Sequence, residues 1–151
     1  MRLGIDPGIS GAIAVLDGDN LVEVHDMPVV ELKSGKTTKR SVSPAMLANI
    51  MRQYPDAHVV VEKVGAMPGQ GVSSMFNFGK SAGIVEGVCA GLGLPVSFVT
   101  PQQWQKRAAR RDGKDGSRAR AAELFPAKAG LFARVKDDGR AEAVLIAKFG
   151  L

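Results

Sequence analysis

The stretch His58-Val59-Val60-Val61-Glu62-Lys63-Val64 constrains the fold of this chain more than any other. A continuous run of β-branched residues reads as a strand buried on both faces, because one solvated face would leave alternation instead. Such a strand needs a layer of structure on either side. Upstream, residues 2–6 and 11–16 read as strands parted by the turn chemistry of Pro7-Gly8 and Gly11. Asp17-Gly18-Asp19-Asn20 forms a hairpin turn into 21–27, whose alternation suits a half-buried antiparallel strand. The segment 31–40, ELKSGKTTKR, reads as a polar basic loop, after which Ser43 caps a helix that has Pro44 at its first position.

Downstream, a Gly-rich loop leads to a helix over 73–91, and LPVSFVT at 94–100 reads as a further buried strand. Helices follow at about 101–111 and 116–124, and the last begins near 138. The order βββαβαβ with a helical tail predicts an α/β fold: a mixed five-stranded sheet with helices on both faces. At 151 residues the chain suits one domain with a proper core, spanning 1–151.

Composition removes several classes of function. The lone Cys89 excludes an internal disulfide framework, and its small apolar neighbours make it a buried thiol. Two distant histidines and one cysteine exclude a zinc site built on nitrogen and sulfur. No apolar run approaches the ~18–20 residues of a membrane span, and MRLGIDPG lacks the apolar stretch of a signal peptide. A cytoplasmic protein in a reducing compartment is expected. Two phosphate-loop decoys also fail: GKS at 79–81 has Ser74 where the leading glycine belongs, and the glycines at 4, 8 and 11 miss the dinucleotide pattern.

Charge is unevenly placed. Of the 20 basic and 15 acidic residues, the segment 102–120 holds Lys106, Arg107, Arg110, Arg111, Lys114, Arg118 and Arg120 against Asp112 and Asp115. The rest of the chain balances, so the whole excess of +5 sits in that segment. A local basic patch on a neutral body is the footprint of a polyanion-binding face, although a solvated helix face has the same composition. In the 73–91 helix, Gly79, Gly83, Gly87 and Gly91 share one face, each costing up to ~1 kcal/mol relative to alanine. Another backbone must come close there, either the sheet or a second subunit.

Four acids are candidates for chemistry. Asp6 closes the first strand and is followed by Pro7-Gly8; Glu62 ends the apolar strand. A charge at the end of a buried strand is costly unless it is paired or bound to a metal. Asp137 and Asp138 open the last helix, where either could be a dipole partner, and Glu142 shares a face with Asp138 one turn on. The strand-end acids and the helix acids converge only if strands one and four are neighbours. Converging carboxylates repel, and Mg2+ or Mn2+ relieves that repulsion. Two such ions ~4 Å apart clamp the attacking water and leaving oxygen of a phosphodiester.

These residues resemble the RuvC-type Holliday junction resolvases of the RNase H-like nuclease superfamily. GIDPG with Asp6, VVVEKV with Glu62, and DDGRAEAVLIA with Asp138 and Glu142 fall in that family's order and approximate spacing. The likeness extends through MPGQGVSSMFNFGKSAG and LPVSFVTPQQWQK and is greatest to compact phage and bacterial versions. The resemblance implies a homodimer that joins through the 73–91 helix, binds a four-way DNA junction and nicks two opposing strands symmetrically, using two Mg2+ ions that Mn2+ can replace. It implies that Asp6 bridges the metals, that Glu62, Asp138 and Glu142 complete the ligand set, and that Lys114 stabilises the phosphate. Asp137 is then left as the capping residue. Lys106, Arg107, Arg110, Arg111, Lys114 and Arg118 would face DNA. Where family members carry an aromatic after the strand glutamate, this chain has Gly65, Ala66 and Met67, so stacking at the junction centre passes to Met67 or Phe76. The family's usual acid three residues before the last ligand is here Gly139. The alternatives are a related nuclease acting on RNA or on forked or unbranched DNA, and a catalytically inert junction-binding protein. An actin-like ATPase, which opens with a similar motif, needs about twice this length.

Overall fold

The computed structural model describes residues 1–151 apart from the Lys114 side chain, so the expectation for Lys114 lies outside the described residues. Five strands, β1 (Arg2–Asp6), β2 (Ala12–Asp17), β3 (Asn20–Asp26), β4 (Val29–Ser34) and β5 (Thr37–Val42), precede α1 (Pro44–Met51). Then come β6 (His58–Glu62), α2 (Val72–Gly91), β7 (Val96–Val99), α3 (Pro101–Arg107), α4 (Gly113–Leu124) and α5 (Asp138–Phe149). Two 3-10 segments, Pro126–Phe132 and Val135–Asp137, lead into α5.

The main sheet has the order β3-β2-β1-β6-β7. β1 runs antiparallel to β2 and parallel to β6, which is parallel to β7. The sheet is therefore mixed and five-stranded, with helices on both faces, as the element order predicts. Strands one and four of the sequence reading, β1 and β6, are direct neighbours, with Ile5 opposite Val61.

Side-chain parity sorts the two layers. Leu3, Ile5, Val59 and Val61 pack with Leu47 and Met51 of α1 and Val85 and Cys89 of α2. On the opposite face, Ala12, Ala14 and Leu16 meet Ala143, Val144 and Ala147 of α5, while Val60 meets Leu145, Ile146 and Trp104. Glycine lets α5 lie directly on β1: a Cβ at Gly4 would stand 2.3 Å from both the Ala143 carbonyl oxygen and the Ala147 nitrogen. Asp6 shares the Gly4 side of β1, and Glu62 shares the Val60 side of β6. Both acids thus rise on the face that α5 covers.

Several local expectations change. Residues 31–40 form most of the antiparallel hairpin β4–β5, turned at Gly35 with φ +61°, rather than a loop. Val29, Val30, Thr37 and Thr38 supply β-propensity around that turn, but the exposed polar residues hide the alternation. α3 ends at Arg107 because Ala109 adopts φ +51°, a left-handed conformation that a helix does not continue. α4 starts earlier than expected, at Gly113. Ser43 caps α1 as expected, accepting from the Met46 nitrogen. The glycine face of α2 does not pack on the sheet: Gly79, Gly83, Gly87 and Gly91 are exposed, and a Cβ on any of them would meet nothing within 4 Å.

Candidate active site

Asp6 sits where β1 pairing stops, and the Gly8 nitrogen donates to its Oδ1 at 3.2 Å. The turn that follows is tight, since a Cβ at Gly11 would lie 2.1 Å from the Asp6 carbonyl oxygen. The same turn receives α5: a Cβ at Gly139 would lie 2.3 Å from the Ser10 carbonyl oxygen. A side chain at 139 would meet the same obstacle at its Cβ, so the acid that shares a helix face with Glu142 is Asp138, four positions before it.

Glu62 is half-buried at the end of β6, and its Oε1 accepts from the indole Nε1 of Trp104 at 2.8 Å. Trp104 is fully buried on α3, whose start is set by a reciprocal cap between Thr100 and Gln103, with Pro101 at the first position. Burial pushes the Glu62 carboxyl above its ordinary range and the Asp6 charge adds to this, while the Trp104 hydrogen bond and Arg110 oppose it.

Glu142 is the most perturbed acid of the group. Burial, then Asp6 and Glu62, and further Asp138, push its carboxyl up to about 7, against the opposing charge of Arg110. The Ser117 hydroxyl donates to Glu142 Oε1 at 3.3 Å and accepts from Arg110 Nη1 at 3.3 Å. Arg110 also lies over the Trp104 ring, 5.7 Å from its centroid. The fold thus brings Asp6, Glu62, Asp138 and Glu142 into one electrostatic neighbourhood, with Arg110 at its side. Among the described residues no group of three or more Asp, Glu, His or Cys side chains is already placed to hold a metal ion. The donors are carboxylate oxygens, which suit hard cations such as Mg2+ and Mn2+.

Asp137 is elsewhere. Its side chain is 1% exposed, and Arg134 grips it through Nε and Nη2 and through the backbone nitrogen at 2.9 Å. Those Arg134 contacts hold its carboxyl below the usual range. It stands at the position before α5 but makes no side-chain cap to that helix, so the capping role expected of it is replaced by an ion pair with the preceding turn.

The basic segment divides by environment. Lys106, Arg107 and Arg111 are exposed, and Arg107 donates to the Phe149 carbonyl. Arg110 turns toward the acids. Arg118 is largely turned inward, donating to the Phe132 and Ala133 carbonyls and pairing with Asp115. Met67 and Phe76 are 67% and 72% exposed, on the loop after β6 and at the start of α2. Trp104 and Ser117 escape sequence reading. The signal for Trp104 was a lone tryptophan on the helix opened by Thr100-Pro101, whereas nothing local marks Ser117.

No family model matches the chain. It is 31% identical over 150 residues to the chloroplastic Holliday junction resolvase MOC1 of Chlamydomonas reinhardtii, a match covering 85% of this chain and 17% of that protein. The chain therefore spans about a sixth of the length of that relative. Two structures of Thermus thermophilus RuvC share its architecture. The one in complex with a Holliday junction substrate has a TM-score of 0.61 at 15% identity, over 97% of this chain and 89% of RuvC. The other has 0.60 at 16% identity, over 97% and 90%. With β1 and β6 adjacent and α5 laid across them, the chain has the fold of RuvC.

Proposed function

We propose that this chain is a divalent-metal-dependent endonuclease that resolves four-way DNA junctions by paired nicks as a homodimer. One observation carries the reading: the Glu142 carboxyl is raised to about 7 by burial, by the acids Asp6 and Glu62 at the ends of two parallel strands, and by Asp138 at the start of α5. A chain that only bound DNA would gain nothing from repelling carboxylates beside a phosphate. The likeness to resolvases in fold and sequence supports the branched substrate.

In this reading Asp6, Glu62, Asp138 and Glu142 hold Mg2+ or Mn2+, which when bound would activate water and stabilise charge on the scissile phosphate. Trp104 keeps Glu62 turned into the site, and Ser117 does the same for Glu142. Arg110 lowers the repulsion among the acids. Lys106, Arg107, Arg110 and Arg111 contact backbone phosphates, Met67 or Phe76 enters the junction centre, and the glycine face of α2 is the subunit seam.

The test is a cleavage panel with Mg2+ and Mn2+ over labelled four-way junctions, forks, duplex, single strands and RNA–DNA hybrid. Symmetric nicking with preference for the junction is expected. Equal cutting of unbranched DNA or of the hybrid would overturn the junction assignment.

A further inference from the structure

A cleft of about 820 Å3 lies between the base of the β4–β5 hairpin and the segment that leads into α5. Ser10, Asp26, Arg40, Arg134, Lys136 and Asp138 are among its lining residues, so it opens at one end onto the proposed active site. Its charge is biased by pairing within the wall. Arg140 binds Asp26 through two hydrogen bonds of 2.6 and 2.7 Å. Arg134 likewise neutralises Asp137. Arg40 and Lys136 are exposed, and among the described residues their side chains make no ion pair. They face the cleft from opposite walls.

The hairpin continues this surface outward. Cross-strand partners share a face, so Val29 with Val42, Glu31 with Arg40, and Lys33 with Thr38 lie on one side. Val29 and Arg40 line the cleft, and Lys33 follows on the same side toward the tip. Glu31 is the one acid on that face.

We propose that this cleft is a groove for a DNA strand, with Arg40 and Lys136 clasping backbone phosphates on the side of the active site away from Lys106 and Arg107. This rests on the nuclease reading above and adds a second cationic wall to it. The cleft is open, and the pairing of Asp26 and Asp137 leaves Arg40 and Lys136 as cations free to meet a phosphodiester strand. A strand held on both sides of the acids is positioned across them, which one basic patch alone does not achieve.

The experiment measures binding of a synthetic immobile four-way DNA junction across a salt series, with Ca2+ in place of Mg2+. Arg40→Gln combined with Lys136→Gln should lower the slope of log affinity against log salt by about 1.8, at about 0.9 per lost phosphate contact. Arg40→Lys with Lys136→Arg keeps the charge and should keep the slope. Arg52→Gln with Lys128→Gln removes the same charge at the opposite end of the sheet and should leave the slope unchanged. If the cleft pair changes the slope no more than this distant pair, while Lys106→Gln with Arg107→Gln lowers it, the groove is overturned and the nuclease reading stands. If the wild type neither prefers nor cuts the junction, the nuclease reading falls and takes the groove with it.

Discussion

The indole Nε1 of Trp104 donates to Oε1 of Glu62 at 2.8 Å, tying a helix beyond the sheet to an acid on its second strand from the edge. That bond opposes the rise in the Glu62 carboxyl that burial and Asp6 cause. It favours the ionised form that a metal ligand requires.

Trp104→Phe should therefore raise the Mg2+ concentration for half-maximal cleavage by roughly tenfold or more, the usual range for losing a partner of a metal ligand. The measurement is a metal titration of junction cleavage well below the melting temperature. An unshifted titration would reduce Trp104 to a packing role.

Asp6→Asn or Glu62→Gln should abolish cleavage while junction binding in Ca2+ persists, because each removes a charged donor without removing the phosphate contacts. Gel-based binding and cleavage assays on the same preparations separate the two. Substantial residual cutting by Asp6→Asn would sink the site assignment.

The two adjacent aspartates should separate cleanly. Asp138→Asn should lose cleavage and keep stability, since it eases the repulsion felt by Glu142. Asp137→Asn should keep the ligand set but cost about 1.5–3 kcal/mol, the range for charged hydrogen bonds. Arg134 depresses the Asp137 carboxyl in the folded state. The stability advantage of wild type over Asp137→Asn is thus present above the unfolded aspartate value of about 3.9 and lost as pH falls through the lower folded value. Denaturant melts of both variants across that range check the sign.

Gly4→Ala and Gly139→Ala should each destabilise the fold by about 1–3 kcal/mol or more, because the new methyl meets backbone at 2.3 Å in both places. Gly83→Leu should leave the protomer folded, its Cβ meeting nothing within 4 Å, yet block self-association. Thermal melts read the first pair and sedimentation reads the second. A dimer that tolerates Gly83→Leu places the seam elsewhere.

Much of this architecture is legible from local pattern. The valine run of 59–61 demanded cover on both faces, Pro7-Gly8 ended the first strand at Asp6, and Ser43-Pro44 set the start of α1. The hairpin at 29–42 was not legible, because its exposed strands lack the apolar alternation that burial imposes. Gly4 and Gly139 were visible only as residues; their reason is a backbone contact made by elements more than 130 positions apart in one case.

By itself the sequence determined which acids stand at element ends and which faces of the strands and helices are apolar, since those follow from periods of 2.0 and 3.6 residues. Only the tertiary structure decided that β1 lies beside β6, that Ser117 reaches Glu142, and that Trp104 reaches Glu62. Strand order and the meeting of side chains from distant segments depend on how layers pack, and no local period encodes that.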